Sequence, residues 1–489
     1  MTAAYAGTIP RLFEAAAAAV PDKAWLIAGD AELTYAQARE RILAVAGAVA
    51  ERGVGRGDLV LTAMHNRPEH LLTWLALAYL GAIHVTANPA SSAAELAGLE
   101  AQVAPRLALL DPAEVAALAH AGAPPAPEGP GPARPEDPAV LIPTSGTTGR
   151  SKLVTQTHRA YAMAGEGFPW WLGLTGEDRL MTSLPLFHLN APAYSMLGSV
   201  VARASLVLLP RFSASTFLES ARRHGATQFN AIGAMLEILM RRPQRPDDAD
   251  NPLRLCYTGP SPPEARQREI ERRFGLEIVC GYALSESTYG MIWPHGTRPY
   301  GTLGTARQHP ALGRVNEARV VRDGAPARVG EVGELELRNP AVMLGYWGMP
   351  EESERVLTAG GWLRTGDLVH ENADGTYTFV GREKEIIRRR GENLAPGEVE
   401  EALASHPAVA EAAVVGVPSE LSEEEVKAFV VLDGAAELAD VRAWAAGRLA
   451  AFKVPRYVED VAELPHTPTG RVAKHELPRK RTAGEVDFG

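Results

Sequence analysis

The chain has 489 residues, of which 46% are hydrophobic and 22% charged, which excludes a disordered, collagen-like or coiled-coil protein and suits roughly two to four globular domains. Asp and Glu outnumber Lys and Arg by 59 to 49, so a nucleic-acid polymer is not an expected partner. Two cysteines, Cys256 and Cys280, are too few for a disulfide framework or a thiolate zinc site, and we interpret them as core thiols.

The sequence also predicts a protein without a membrane partner. Its most apolar run, residues 71–85, has about 15 residues, whereas a bilayer-spanning helix needs roughly 20. Residues 8–23 are rich in alanine but lack the basic-then-apolar order of a signal peptide. We therefore expect a cytoplasmic protein in which the apolar run is a buried helix followed by a strand.

The first 120 residues alternate between strand and helix patterns. Strands are predicted at residues 59–64, 83–86 and 106–110, with a helix at residues 69–80. This alternation predicts parallel sheets covered by helices. Residues 121–138 are rich in Pro, Gly and Ala, cannot form a helix or a central strand, and are predicted to be a surface linker.

The rest of the chain predicts a second α/β stretch, a short β part and a compact C-terminal segment. The α/β stretch has predicted strands at residues 140–143, 204–209, 228–231, 253–257 and 277–281, and helices at residues 213–223 and 262–274. Strands at residues 316–322, 333–338 and 376–381 indicate a small β-barrel-like part. The C-terminal segment has predicted helices at residues 396–405 and 438–449 and strands at residues 412–417 and 427–432. We therefore predict an α/β protein with domains at residues 1–381 and 382–489.

The segment TSGTTGRSK, residues 144–152, directly follows a predicted strand. Gly146 and Gly149 permit backbone conformations in which N–H groups converge on an anion, and Lys152 adds a positive charge. Four hydroxyl donors accompany them: Thr144, Ser145, Thr147 and Thr148. The composition indicates a phosphate-binding loop, with a polar turn as the alternative. It is not a Walker A loop, because Leu153 follows the lysine.

Four further segments follow this loop in the chain: GYALSES at 281–287, GWLRTGD at 361–367, GREKEIIRRRGEN at 381–393 and PHTPTG at 465–470. In this order, the five segments resemble the adenylate-forming superfamily of acyl-CoA synthetases, peptide synthetase adenylation domains and luciferases. The RGEN and PLFH segments are most similar to acyl-CoA ligases of the carnitine–CoA kind. The resemblance extends over nearly the whole chain.

The resemblance implies a reaction in two steps. A carboxylate attacks the α-phosphorus of ATP and gives an acyl-AMP and pyrophosphate, and CoA then gives the thioester. A small mobile C-terminal domain, turning about a hinge near Lys384, exchanges the groups around the acyl centre between the steps. ATP, Mg²⁺ and CoA are the implied substrates and cofactor, and the protein is expected to be a monomer or a homodimer.

The resemblance also assigns roles to individual residues. The loop at 144–152 holds the β- and γ-phosphates, Ser285 contacts phosphate and Glu286 binds Mg²⁺. His188 borders the acyl site and the path of the thiol; a structural histidine is the alternative.

The remaining implied contacts are to the nucleoside. Adenine is stacked on Tyr282, which lies between Gly281 and Ala283, and faces the turn formed by Thr258, Gly259 and Pro260. Asp367 and Arg382 bind the ribose. The Asp367 carboxylate suits a vicinal diol because it has two acceptor oxygens. Tyr282 as a core residue and Asp367 as a turn cap are the alternatives.

Three positions depart from the family pattern. Arg471 replaces the catalytic lysine of the C-terminal loop, with Lys474 as a possible substitute. Ala283 replaces a glycine; together with the bulky Trp170, Trp171 and Trp293 it indicates a small or flat acid. Arg390 replaces a glycine beside which the pantetheine arm of CoA would pass, and it either obstructs CoA or pairs with a CoA phosphate.

The sequence therefore predicts an ATP-dependent ligase that joins a small carboxylic acid to CoA. The alternative is an adenylating ligase with another acceptor, such as an amine or a carrier-protein thiol, or one that activates an inorganic oxyacid such as nitrite for diazotisation. A nucleotide-binding regulator without catalysis is a third possibility, against which the retained Lys152, Glu286, Asp367 and Arg382 argue.

Overall fold

A computed structural model of the chain describes residues 7–120, 131–144, 152–259, 261–389, 392–419, 424–467 and 472–489. The fold is α/β, as predicted. The chain forms two compact units, Met1–Ala318 with Leu337–Arg364, and Arg319–Glu336 with Thr365–Gly489. The boundary at 381/382 and the hinge near Lys384 stay predictions. Several predicted site residues lie outside the described residues: Ser145, Gly146, Thr147, Thr148, Gly149, Pro260, Arg390 and Arg471.

Helices and strands alternate along the first 306 residues. Up to residue 172 they are α1 (Ile9–Ala19), β1 (Ala24–Ala28), β2 (Ala31–Thr34), α2 (Tyr35–Glu51), β3 (Leu59–Ala63), α3 (Pro68–Leu80), β4 (Ile83–Ala87), α4 (Ala93–Val103), β5 (Leu107–Leu109), α5 (Pro112–His120), β6 (Pro138–Thr144), β7 (Lys152–Thr157) and α6 (His158–Leu172). Then follow β8 (Arg179–Thr182), a π-helix (Ala191–Met196), α7 (Leu197–Ala202), β9 (Ser205–Leu208), α8 (Phe217–His224), β10 (Gln228–Asn230), α9 (Gly233–Arg241), β11 (Leu255–Thr258), α10 (Glu264–Phe274), β12 (Glu277–Leu284), β13 (Ser287–Ile292) and β14 (Thr305–Ala306).

The later elements are shorter. They are β15 (Glu317–Arg322), β16 (Ala325–Pro326), β17 (Gly333–Arg338), α11 (Pro350–Val356), β18 (Leu363–Glu371), β19 (Tyr377–Arg382), β20 (Ile387–Arg389), β21 (Glu392–Leu394), α12 (Pro396–Ala404), β22 (Val409–Pro418), β23 (Glu424–Leu432), α13 (Leu438–Ala446), β24 (Tyr457–Asp460) and β25 (Glu485–Asp487). Every helix and strand predicted from the sequence is present, with ends shifted by up to four residues. Of the predicted linker at residues 121–138, residues 121–130 lie outside the described residues.

Two sheets form the centre of the first unit. The larger has nine strands in the order β14-β13-β12-β11-β10-β8-β9-β1-β2, and its strands from β12 to β1 run parallel. The chain places β9 on one side of β8 and then returns to place β10 on the other. Between β8 and β10 the strand order therefore reverses, and open α/β sheets bind ligands at such a point, outside the carboxyl ends of the strands.

The second sheet of the first unit has five strands in the order β5-β3-β4-β6-β7. Strands β5, β3, β4 and β6 run parallel, and β7 adds an antiparallel edge beside β6. Helix α3 explains the apolar run: all its residues from His70 to Leu80 are buried, and Gly81 ends it with a left-handed φ of 67°. Among the described residues, no helix is long and apolar enough to cross a bilayer.

The second unit contains two main sheets. One has five strands in the order β16-β15-β17-β18-β19, and this is the predicted small β part. The other has four strands in the order β22-β23-β24-β25, and a buried cluster that includes Val399, Val414, Val426 and Val441 joins it to α12 and α13. Both cysteines of the chain lie in the first unit, and both are buried free thiols, as predicted.

Three buried histidines predict how the stability of the first unit depends on pH. His70, His84 and His158 are at most 1% exposed, and burial lowers the pKa of His70 and of His158 to about 4 and that of His84 well below its usual value. The unfolded chain binds protons at these residues below pH 6.5, whereas the folded chain binds them at His70 and His158 only near pH 4 and at His84 only well below pH 6.5.

We therefore expect the free energy of unfolding to fall as the pH is lowered from about 6.5 to about 4, by up to roughly 1.4 kcal/mol per pH unit for each histidine. Urea titrations at several pH values measure this slope. His158→Phe, which removes one titrating ring, should flatten it, and an unchanged slope would contradict the assignment for His158.

Candidate active site

The ends of the predicted phosphate loop lie side by side on the five-stranded sheet. Thr144, the last residue of β6, pairs with Lys152, the first residue of β7, in antiparallel register. The Thr144 hydroxyl also donates to the carbonyl oxygen of Lys152 at 3.3 Å. Both ends of the loop are therefore fixed by the edge of a sheet.

The ammonium group of Lys152 lies between a carboxylate and an aromatic ring. Its Nζ is 2.6 Å from Oε2 of Glu352 and 4.9 Å from the centre of the Tyr346 ring. The Tyr346 hydroxyl donates to Oε1 of Glu286 at 3.0 Å. The hydrogen bond from Lys152 lowers the pKa of Glu352, while burial and then the charge of Glu286 raise the pKa of Tyr346. Glu352 is therefore ionised and Tyr346 protonated, and the four side chains form one polar cluster.

One extended backbone segment holds this cluster together. Within residues 342–347, Gly345 accepts from the N–H of Thr155 on β7 at 3.0 Å, and Met343 donates its N–H to the carbonyl of Glu286 at 2.8 Å. The segment thus joins the strand that begins with Lys152 to the turn that carries Glu286.

Ser285 and Glu286 form the turn of the β12–β13 hairpin. Leu284 and Ser287 pair across it, and the buried Gln156 donates from Nε2 to the carbonyl oxygen of Ser285 at 2.6 Å. Sequence reasoning missed Glu352, Tyr346 and Gln156, because none of them lies in a recognised segment and the first two are close to the loop only in the fold.

Close backbone contacts surround the predicted adenine site. A Cβ on Gly259 would lie 2.2 Å from the carbonyl oxygen of Gly281, and one on Gly290 would lie 2.1 Å from that of Tyr282. Glycine is therefore required at both positions. Thr258 is buried at the end of β11, whereas the neighbouring Tyr282 on β12 is half-buried.

Two residues that were predicted to border the acyl site, His188 and Ala283, also lie in the first unit. His188 is half-buried in the loop after β8, with its ring 4.4 Å from that of Phe187. Ala283 is half-buried against the core.

The three tryptophans line one open cleft. Trp170 is 53% exposed, whereas Trp171 and Trp293 are buried. With His295 and mostly apolar neighbours they surround a volume of about 460 Å³. Trp171 and Trp293 therefore pack into the core and also form part of the cleft wall.

In the second unit, the structure brings the two predicted ribose contacts together. Asp367 and Arg382 are register partners of β18 and β19, and Nε of Arg382 lies 3.1 Å from Oδ1 of Asp367. The Asp367 N–H donates to the Thr365 hydroxyl at 3.1 Å. The next residues, Glu383–Glu385, form a 3₁₀ turn that contains Lys384.

Lys474 is engaged in two ion pairs within the second unit. Its Nζ lies 2.7 Å from Oε1 of Glu400 and 3.3 Å from Oε2 of Glu385. Burial raises the pKa of Glu400, and the ammonium of Lys474 opposes that rise. The Lys474 charge therefore compensates two carboxylates of its own unit.

The described residues contain no cluster of three or more His, Cys, Asp or Glu side chains that is placed to hold a metal ion. Nucleotide-bound Mg²⁺ needs less, because it takes one or two carboxylates and completes its shell with phosphate oxygens and waters. Glu286, whose Oε1 is oriented by Tyr346, fits this requirement.

Comparison with known proteins shows which family the chain resembles. A family model described as AMP-binding enzyme matches residues 13–347, and one for the C-terminal domain of such enzymes matches residues 398–471. Sulfoacetate–CoA ligase of Cupriavidus necator is 37% identical over 71% of this chain and 68% of its own length. Crotonobetaine/carnitine–CoA ligase of Salmonella agona is 30% identical over 91% of this chain and 93% of its own. The structure of O-succinylbenzoate CoA synthetase from Bacillus subtilis in complex with AMP aligns with a TM-score of 0.86 at 27% identity, covering 96% of this chain and 98% of the other.

Proposed function

Because this chain belongs to the family of AMP-binding enzymes, we propose that it joins a small carboxylic acid to CoA through an acyl-AMP, with ATP as the source of AMP. It is an AMP-forming ligase. The observation that carries the proposal is the polar cluster of Lys152, Tyr346, Glu286 and Glu352 at the end of the phosphate loop.

The first half-reaction brings an anionic carboxylate to an anionic triphosphate, so the site must supply positive charge and hydrogen-bond donors. Lys152 supplies the charge at the β- and γ-phosphates, beside the hydroxyl and N–H donors of the loop. Glu286 holds Mg²⁺, which neutralises phosphate charge when it is bound. Ser285 donates its hydroxyl to a phosphate, and Tyr282 stacks on adenine beside Thr258 and Gly259.

In the second unit, Asp367 accepts from the ribose hydroxyls, and Arg382 fixes its carboxylate. Arg471 supplies the charge that the family lysine gives to the adenylation step. The ion pairs of Lys474 favour a structural role for it, since freeing its ammonium would leave Glu400 and Glu385 uncompensated. Lys384 is the hinge.

The relatives narrow the choice of acid. Their names, sulfoacetate–CoA ligase and crotonobetaine/carnitine–CoA ligase, describe short acids that carry a second charged group. We propose that the substrate of this chain belongs to the same size class, as Ala283 and the buried Trp171 also indicate.

A pyrophosphate-release assay with ATP, Mg²⁺ and a panel of short acids, with and without CoA, tests the function. We expect release with at least one acid and thioester formation when CoA is added. Release without thioester would favour another acceptor, an amine or a carrier-protein thiol, and release with nitrite would favour diazotisation. No release with any acid would overturn the proposal.

A further inference from the structure

Arg307 is a fully buried cation in the first unit, directly after β14. Its side chain is 0% exposed, and no Asp or Glu in the described part of the chain forms an ion pair with it. The other buried cations have carboxylate partners: Arg389 lies 2.6 Å from Glu425, and Lys427 lies 2.8 Å from Glu459. Since burying an unpaired charge is costly, Arg307 requires a different explanation.

Neutral groups take most of its five N–H donors. Nε donates to the carbonyl of Met291 at 2.9 Å, and Nη1 donates to the Tyr194 hydroxyl at 2.6 Å and to the carbonyl of Thr288 at 3.1 Å. Nη2 donates to the Tyr257 hydroxyl. One N–H of Nη2 is left over, because a guanidinium has five. The Tyr257 hydroxyl accepts the hydrogen bond from Nη2. No group in the described part of the chain accepts the proton of this hydroxyl.

The remaining hydrogen-bonding capacity at this place thus consists of donors and a positive charge, the composition that suits an anion. The rings of Trp171, Tyr194 and Tyr257 lie 4.8, 5.0 and 5.6 Å from the guanidinium carbon. They keep bulk water away, so an anion that reaches the guanidinium is attracted in a medium of low dielectric constant.

The location is the reversal point of the nine-stranded sheet. Tyr257 pairs in register with Asn230 at the end of β10, and Asn230 donates from Nδ2 to Oδ1 of Asn190 at 2.6 Å. Asn190 lies in the loop after β8, so these polar groups lie at the carboxyl ends of β8, β10 and β11, where open α/β sheets bind ligands.

The same residues lie directly beside the nucleotide segment. A Cβ on Gly281 would be 2.8 Å from Nη2 of Arg307 and 2.8 Å from the Tyr257 hydroxyl, so a larger residue there would displace these two side chains. Tyr282, the proposed adenine contact, is the next residue. A group held by Arg307 and Tyr257 would therefore lie beside the segment that is proposed to bind the nucleotide.

We propose that Arg307 and the Tyr257 hydroxyl bind a second anionic group of the acid, a sulfonate, carboxylate or phosphonate on a short chain. This rests on the proposed function and names the class of its substrate. The competing explanation is that Arg307 only ties together the carbonyls of Thr288 and Met291, in which case its loss would affect all acids alike.

The test compares acids of similar size. In the pyrophosphate assay we expect kcat/KM for malonate and sulfoacetate to exceed that for propionate and butyrate by about 100-fold or more, because a site built to bind a polar group rejects acids that lack it. Arg307→Gln should remove most of this preference. Arg273→Gln, which changes a nearly buried arginine of the same unit paired with Asp248 at 2.8 Å, should leave the ratio unchanged.

Tyr257→Phe provides a second variant in case Arg307→Gln does not fold. It should raise the KM for the dianionic acids about tenfold and leave the KM for propionate unchanged. Wild-type enzyme that uses propionate as well as malonate, or variants that keep the preference, would overturn the inference and leave the ligase function intact. If no acid supports turnover, thermal shifts by malonate alone in wild type and Arg307→Gln decide, and equal shifts would overturn it.

Discussion

Replacement of Lys152 by alanine is expected to reduce acid-dependent pyrophosphate release by about 10²–10³-fold, the usual cost of removing a donor that stabilises charge in a transition state. The structure gives this variant a second defect. Glu352, whose Oε2 is 2.6 Å from the Lys152 ammonium, would lose that cation and keep only Arg355 as its ion-pair partner, beside bound phosphates. Both effects weaken triphosphate binding, so the KM for ATP should rise and kcat should fall.

Glu352→Gln supplies the matched control for Lys152→Ala. Alone, Glu352→Gln keeps the Lys152 ammonium and removes the carboxylate that competes with phosphate for it. We therefore expect a KM for ATP equal to or below that of the wild type. Combined with Lys152→Ala, it should recover part of the lost rate, because the repelling carboxylate is gone. A double-mutant cycle on kcat/KM for ATP measures this coupling. Near-wild-type release by Lys152→Ala would remove this lysine from the mechanism.

The elements that were predicted from the sequence are those with a local signal. Strands such as β3 and β11 are short apolar runs between helical patterns, and their burial makes them easy to recognise. The start of α8 was misplaced, because residues 213–216 form a turn in which Ser213 and Ser215 bond to each other instead of entering the helix. Strand β7 was missed, because the phosphate segment that contains Lys152 was interpreted as a loop.

The candidate site was predictable only where a residue lies in a motif. Lys152, Glu286, Asp367 and Arg382 belong to segments that resemble those of the family. Glu352 does not, and it is 200 residues from Lys152 along the chain. The burial of Arg307 could not be predicted either, because a single arginine in a polar stretch predicts an exposed side chain. Only the packing of Trp171 and the tyrosines around it shows that its charge is buried.

The ion pairs of Lys474 could not be anticipated either, and they change which residue is expected to assist adenylation. From the sequence, Lys474 and Arg471 were both candidates. Since Lys474 is paired with Glu400 and Glu385, its loss should lower the stability of the second unit, by about 2 kcal/mol for a charged hydrogen bond to a buried group. Lys474→Ala is therefore the control for a catalytic role at 471, with a lowered unfolding midpoint as its expected readout.

Arg471→Ala is expected to slow acyl-AMP formation by about 10²-fold or more, because Arg471 is proposed to supply the positive charge that the attacking carboxylate and the α-phosphate share. It should leave thioester formation from supplied acyl-AMP and CoA near the wild-type rate, since that step no longer has a carboxylate and a triphosphate to bring together. Single-turnover measurements of the two half-reactions separate these effects. Arg471→Lys should retain much of the adenylation rate, because the charge persists while the fork is lost. Equal losses in both half-reactions of Arg471→Ala, or a larger adenylation defect in Lys474→Ala, would assign the charge to a different residue.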